Sequence, residues 1–382
     1  MKKNLLTSAL LCLLAACGAQ DSADSAGAAG ARQQRLPATA ELNIFNWSDY
    51  VDPETVAAFA RAEKIKVRYD YYDSNEALEA RLLTGHSGYD LVAPSLSNAG
   101  RQIQAGAYQK IDKSLIPNYK NIDPALLKQM AAVDPGNQYA VPYFWGISTL
   151  AINTAQVQAA LGTDKLPDNE WDLVFKPEYT AKLKHCGISY FDSPTEQYPL
   201  ALNYLGLNPN SENPADIEAA NALMAKVRPD IKRFTSSGYI DDLAAGNLCA
   251  AVGYGGDLNI AKTRAAEAGN GTEIRVLAPK SGVGLWVDSF MIPVGAANAL
   301  NAHKYIDYAL RPDIAAKNGG FVRYAPSVPA ARPLMDKTLA AEPSVFPGQD
   351  VLQKSFVVLP KSRDTVKLQT RLWQRLKAGS GA

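Results

Sequence analysis

Between Leu42 and Ser95 the chain alternates strand-like and helix-like patterns, and this alternation limits the fold more than any other feature of the sequence. Apolar and polar residues alternate over 42–46, and Asp52-Pro53-Glu54-Thr55 then offers a cap followed by proline at the first helical position. The predicted helix carries Val56, Phe59 and Ala60 on one side. Val67, Tyr69 and Tyr71 alternate as the next strand. Ser74-Asn75-Glu76 caps a helix through Leu83, and Tyr89-Asp90-Leu91-Val92-Ala93 reads as a buried strand ending at Pro94-Ser95. The order βαβαβ opens an open α/β sheet. Such sheets hold ligands beyond the carboxyl ends of their strands. The first strand-to-helix turn, Asn46-Trp47-Ser48-Asp49-Tyr50, sets an indole, a hydroxyl, a carboxylate and a phenol at that place. The mixture suits a ligand that is cationic at one point and apolar at the next. Taken alone, it reads more simply as a core tryptophan beside a helix cap.

Further along, Tyr139 to Asn153 is a long apolar and aromatic run that can bridge two lobes. Leu200 to Leu205, Ala215 to Val227 and Tyr239 to Ala245 read as helices, and Cys249 to Gly253 and Ile274 to Leu277 as strands. Leu285 to Ile292 reads as a strand that carries the chain back to the first lobe. Asn298 to Leu310 follows as a helix with Asn298 as its cap, Arg311-Pro312-Asp313 starts another, and Thr365 to Lys377 is a last amphipathic helix. Two α/β lobes joined by crossing segments make a hinged clamp with its ligand between the jaws.

The first residues belong to export rather than to the fold. Lys2-Lys3 is a basic start, Leu5 to Leu14 is an apolar run too short to span a bilayer, and Leu14-Ala15-Ala16-Cys17 resembles a bacterial lipobox. The reading is a signal peptide over 1–16 and a lipidated tether, without order, over 17–40, in which Cys17 carries the lipid. An ordinary signal peptide cut after the alanine pair is the alternative. Cys186 and Cys249 then remain, and in an oxidising compartment an even pair suggests one disulfide, against two buried thiols. Lys and Arg number 39 against 38 Asp and Glu, so charge gives no argument for nucleic acid or a polybasic membrane surface. Three separated histidines offer no metal-ligand spacing.

Four carboxylates stand in loop-like settings beside aromatic or strand segments. Asp49 is in the opening turn, Glu196 in Ser193-Pro194-Thr195-Glu196, Asp257 at the end of Gly253-Tyr254-Gly255-Gly256-Asp257, and Asp288 in Trp286-Val287-Asp288-Ser289. Trp286 and Asp288, two apart, face one side of a strand. Each acid alone reads as a solvated surface group; together they describe an acidic, aromatic cleft. No Gly-x-Ser-x-Gly elbow is present, and the Gly253–Gly256 run lacks the Gly-Lys-Ser/Thr of a phosphate loop. A pair of acids could hydrolyse glycosides, but the expectation is a protein that is not an enzyme and uses no cofactor.

The segments NWSDY (46–50), SNEALEARL (74–82), YDLVAPS (89–95), GNQYAVPYFWG (136–146), WDLVFKPEY (171–179), GYGGD (253–257), WVDSF (286–290) and YALRPD (308–313) resemble those of the periplasmic polyamine-binding proteins of ABC transporters, most closely the putrescine-binding branch. The resemblance runs from about Glu41 to the end. It implies an α/β, two-lobed periplasmic solute-binding fold of type II, each lobe a mixed sheet flanked by helices, with the cleft between lobes. Lobe 1 would hold 41–143 plus about 281–310, and lobe 2 would hold 144–280 plus about 311–382. The family pattern includes a cysteine pair matching Cys186 and Cys249. It makes Trp47, Tyr254 and Trp286 aromatic walls, with Tyr324 completing the box. Ser48, Asp49 and Ser95 would give polar contacts beside Tyr50, and Glu196, Asp257 and Asp288 would take the ammonium ends. Tyr254 departs from the usual tryptophan. Trp286 resembles spermidine-preferring members, whereas Ser193 and Val358 resemble putrescine-preferring ones. The implied protein is a periplasmic monomer held to the membrane only by lipid, binding putrescine, spermidine or both and delivering them to an ABC permease. A receptor of the same fold for another small cationic or polar solute, and a two-lobed hydrolase with paired carboxylates, remain as alternatives.

Overall fold

A computed structural model describes residues 39–72 and 75–379; the signal segment, Cys17, the tether up to residue 38 and the expected cap Ser74 lie outside these residues. Eleven described strands form two sheets. The first contains β1 (Glu41–Trp47), β2 (Lys66–Tyr72) and β3 (Leu91–Val92) in the order β2-β1-β3, all parallel. Helix Pro53–Glu63 joins β1 to β2. It starts where Asp52 Oδ1 accepts the Glu54 N–H at 2.9 Å, so the cap expected from sequence forms. Its buried face is Thr55 and Phe59, and Val56 and Ala60 are only half-buried.

The second sheet is built on β4 (Val141–Asn153), with β5 (Ile188–Tyr190), β6 (Ile231–Phe234), β7 (Ala250–Tyr254), β8 (Ile274–Val276), β9 (Gly284–Phe290), β10 (Ala325–Pro326) and β11 (Phe356–Val357). Its main order is β11-β9-β4-β7-β5-β6. One long strand pairs with four others, β7, β8, β9 and β10. The first part of β4, Val141 to Ser148, pairs antiparallel with β9, and Ser148 to Ile152 pairs with β7. Just past the end of β9, Met291 bridges to Val92 at the end of β3. The two sheets are therefore tied to one another at the end of β9.

Each sheet has its own core. Tyr72, Leu78, Leu82, Leu96, Ala99, Met130 and Met291 pack on the first. Trp171, Phe175, Tyr190, Tyr198, Met224 and Trp373 belong to the second. Trp145 on β4 packs partly against both. Buried apolar area is the main source of stability in each. Cys186 and Cys249 form a disulfide, with Cα atoms 5.4 Å apart and 63 positions separating them in sequence. Closing so long a loop contributes about 4 kcal/mol by chain entropy. Cys186→Ser/Cys249→Ser is expected to lower unfolding free energy by about that much in urea titration; a loss below about 1 kcal/mol would contradict this.

Two local expectations fail. Asn298 does not cap helix Ala299–Ala309 through its side chain. Its N–H and side-chain amide instead donate to Asp90, both at 2.8 Å. Asp90 also accepts the Asn43 N–H at 2.8 Å, and its role as a buried hub shortens the expected strand 89–93 to Leu91–Val92. No described helix is long and apolar enough to cross a membrane.

Candidate functional site

The site forms where the two sheets meet, on residues delivered by loops and by β9. Asp288 lies on β9 and is buried. Ser95, which follows β3, donates its hydroxyl to Asp288 Oδ1 at 2.7 Å, and Tyr50, from the turn after β1, donates to Oδ2 at 2.8 Å. Asn75 holds Ser95 from behind: its Oδ1 accepts the Ser95 N–H at 3.1 Å, and its amide donates to the hydroxyl at 3.3 Å. Ser95 and Asp288 also form a backbone bridge. Residues 193 positions apart are thus fixed against one another at both main chain and side chain.

Asp257 lies in the first turn of helix Gly255–Ala268, where aligned peptide dipoles favour a carboxylate. Tyr239 donates to its Oδ2 and Tyr324 to its Oδ1, both at 2.8 Å. Glu196, in the first turn of helix Pro194–Tyr204, accepts the Ser148 hydroxyl from β4 at 2.8 Å. Between these acids stand rings. Trp286 meets Tyr324 edge-on with centroids 4.8 Å apart, and Tyr254 at 6.1 Å. Tyr254 also packs on Phe191 at 4.7 Å, and Tyr50 lies 5.9 Å from Tyr324. The Trp286 indole N–H is buried and has no acceptor among the described residues. Trp47 is tied down differently: its N–H donates to the Ala93 carbonyl at 2.9 Å and its ring leans on Tyr72.

Electrostatics set these acids apart from the rest of the chain. Ten described ion pairs involve other acids, and none includes Glu196, Asp257 or Asp288. Burial pushes the Asp288 carboxyl up to about 7, with help from the negative charge of Glu196 and against the hydrogen bonds from Ser95 and Tyr50. Burial likewise raises Asp257, opposed by Tyr239 and Tyr324, and raises Glu196, opposed by Ser148. Burial foremost also keeps the Tyr50, Tyr239 and Tyr324 phenols protonated, so each stays a donor. Three acids held by neutral hydroxyls, with no ion-pair partner among the described residues, form a cluster that is costly to ionise until something positive enters.

Of the residues singled out in sequence, Tyr50, Ser95, Glu196, Tyr254, Asp257, Trp286, Asp288 and Tyr324 are linked by these contacts. Ser48 and Asp49 are exposed, and Asp49 takes a left-handed φ of 53°. No hydrogen bond joins their side chains to the three acids among the described residues. Nothing in the sequence pattern singles out Ser148 or Phe191. Tyr239 marks only the start of a helix there, and Asn75 only part of a cap. Among the described residues no group of three His, Cys, Asp or Glu side chains is arranged to hold a metal.

Comparisons with known proteins bear on this arrangement. Residues 54–347 match the family described as bacterial extracellular solute-binding proteins. The chain is 44% identical over 338 residues, 88% of itself and 92% of the relative, to the putrescine-binding periplasmic protein SpuD of Pseudomonas aeruginosa. It is 43% identical over 339 residues, with 88% and 91% covered, to the putrescine-binding periplasmic protein PotF of Escherichia coli. Among solved structures, the spermidine/putrescine ABC transporter substrate-binding protein PotD of Streptococcus pneumoniae superposes with a TM-score of 0.77 at 27% identity, covering 90% of this chain and all of that one.

Proposed function

Since the chain belongs to the bacterial extracellular solute-binding proteins, we propose that it is an extracytoplasmic polyamine receptor that delivers putrescine or spermidine to an ABC permease by closing its lobes. The observation that carries this reading is the trio Glu196, Asp257 and Asp288, of which Asp288 is buried and the other two half-buried, each held by neutral hydroxyls and without an ion-pair partner among the described residues. A diamine supplies what such a slot lacks: two positive ends on a narrow apolar spacer. Hydrogen bonds to charged groups contribute about 1.5–3 kcal/mol each, and cation–π contacts about 0.5–2 kcal/mol each. Two ends and the walls Trp286, Tyr254 and Tyr324 can supply the roughly 8 kcal/mol of a micromolar complex after ordering costs.

In this reading Asp288 with Glu196 and Asp257 receive the ammonium groups, Ser95 and Tyr50 orient Asp288, and Trp47, Ser48 and Asp49 complete the wall from the first lobe. The lobes are 41–143 with about 281–310, and 144–280 with about 311–382. Asn318, whose side chain accepts the Asp52 N–H at 3.1 Å and the Thr55 hydroxyl at 2.8 Å, argues for counting helix Pro312–Val322 with the first lobe instead. A signal peptide over 1–16 and a lipid on Cys17 would keep the receptor, a monomer, beside its permease. Hydrolysis is not part of the proposal, and the named relatives are binding proteins.

Mass spectrometry of the ligand that co-purifies, followed by calorimetry with each amine, tests the reading. Both putrescine and spermidine are expected to bind, with putrescine favoured. A preference for spermidine of about tenfold or more, 1.4 kcal/mol, would reverse that order. Failure to bind any aliphatic amine at neutral pH would overturn the whole assignment.

A further inference from the structure

We propose that Tyr239 is the positioning residue that fixes Asp257 before a ligand arrives, an inference that rests on the polyamine-receptor reading. Asp257 is gripped by two phenols, and they come from different places. Tyr324 stands just before β10, beside rings of the first lobe, with Tyr50 at 5.9 Å. Tyr239 is fully buried at the start of helix Tyr239–Ala244, within the same core as the strand and helix that carry Asp257. Its contact with the acid is therefore internal to the second lobe and does not depend on closure.

The hydroxyl of Tyr239 makes two bonds at once. It donates to Asp257 Oδ2 at 2.8 Å and accepts the Tyr254 N–H at 3.2 Å. One oxygen thus ties the acid to the backbone of the ring residue beside it. The accepted N–H polarises the hydroxyl and strengthens the bond it donates. The glycines of Gly253-Tyr254-Gly255-Gly256-Asp257 fit the same purpose. A Cβ on Gly253 would stand 2.7 Å from Tyr239 Cε2 and 3.0 Å from its Cζ, and a Cβ on Gly256 would collide with the Tyr324 ring. Each of these two glycines leaves room for one of the phenols that hold the carboxylate. The segment is built around the grip on Asp257, and Tyr239 is the half of that grip present in both open and closed forms.

A donor to the carboxylate favours its charged form. Burial raises Asp257, and the Tyr239 bond is the first of the influences that oppose it, ahead of the Tyr324 bond and the positive charge of Arg264. Removing that bond should therefore do two things together: misplace the acid, and raise the pH at which it gains its charge.

The test is calorimetric titration of putrescine into the oxidised protein from about pH 5.5 to about pH 8.5, for the parent, Tyr239→Phe and Gly253→Ala. Tyr239→Phe keeps the ring and removes the hydroxyl, whereas Gly253→Ala keeps the hydroxyl and pushes the ring aside. Both variants are expected to lose about tenfold in affinity near pH 7.5, one lost hydrogen bond to a charged group. In both, the pH at which affinity is half lost is expected to move upward. Affinities within about twofold of the parent and an unmoved half-point would overturn the inference. So would a loss of affinity with no shift of the half-point, because a ring that only fills space changes packing and not the acid's proton. If one variant does not fold, the other decides between these outcomes. A parent that binds no putrescine at any pH removes the polyamine reading and this inference with it, whereas a normal parent with unaffected variants removes this inference alone.

Discussion

Asp288→Asn is expected to weaken putrescine binding by about a hundredfold or more at about pH 8, and Asp257→Asn by a similar factor. Each substitution keeps the shape of the side chain and removes its charge. Breaking a buried pair by deleting one partner costs about 3–5 kcal/mol, because the other charge stays buried and unpaired. Here the orphaned charge would be an ammonium of the ligand. Both acids are prearranged: Ser95 and Tyr50 occupy one oxygen each of Asp288, whose backbone is bridged to Ser95, and Tyr239 and Tyr324 occupy one oxygen each of Asp257. Nothing has to be ordered when the cation arrives, so the whole interaction appears as affinity. The ligand-free fold should respond in the opposite sense. Its carboxylate is neutralised by no cation, so Asp288→Asn should not lower thermal stability at about pH 8 and should raise it slightly. Near-parental affinity in both variants would place the ligand elsewhere.

The second large effect is on pH. In the ligand-free chain burial and Glu196 hold the Asp288 carboxyl up at about 7, against an ordinary 3.8. A buried ammonium pulls the same group down, since opposite charge at close range favours the ionised form. Binding therefore expels a proton wherever the empty site is protonated. Below about pH 7 the affinity for putrescine is expected to fall by up to about tenfold per pH unit, and to level off above about pH 8. Asp257 and Glu196, both raised by burial, add to the fall in the same direction. Stability of the empty protein follows the reverse course. Between 3.8 and about 7 the folded chain holds a proton at Asp288 that the unfolded chain has released. The Asp288 contribution therefore grows less favourable as pH rises through that window and stays at its least favourable value above it. Calorimetry in two buffers of different ionisation enthalpy measures the released proton directly. A flat affinity between about pH 5.5 and about pH 8, with no proton exchanged, would contradict the assignment of Asp288 to an ammonium.

Sequence patterns revealed the frame well where an element was long enough to show its period. The helix Pro53–Glu63 declared itself by Asp52-Pro53, and strands β4 and β9 by their largely apolar and aromatic runs. Strands β5 and β6, with three and four residues, carry too few positions for a period to appear, and both went unread. Asn298 shows the other limit. Its neighbours in sequence suggest a helix cap, but Asp90, 208 residues away, takes both of its donors. The acids of the site were visible because a carboxylate beside rings in a loop is chemically unusual. Their supports were not. Ser148 is one small hydroxyl beside another, Thr149, in a mostly apolar strand, and Tyr239 one phenol among eighteen tyrosines. What makes each matter is the register that sets it against Glu196 or Asp257, and register is a property of the folded chain.

Trp286 stands on β9 with Tyr254 and Tyr324 around it and its N–H buried without an acceptor. Trp171 and Trp373, by contrast, are sealed in the second core. If the slot fills as proposed, a positive charge arrives against the Trp286 indole, with Trp47 on the wall of the first lobe, and leaves those two untouched. The molecule would then carry its own optical gauge: the emission of its native indoles would track occupancy, with no dye attached and no label introduced.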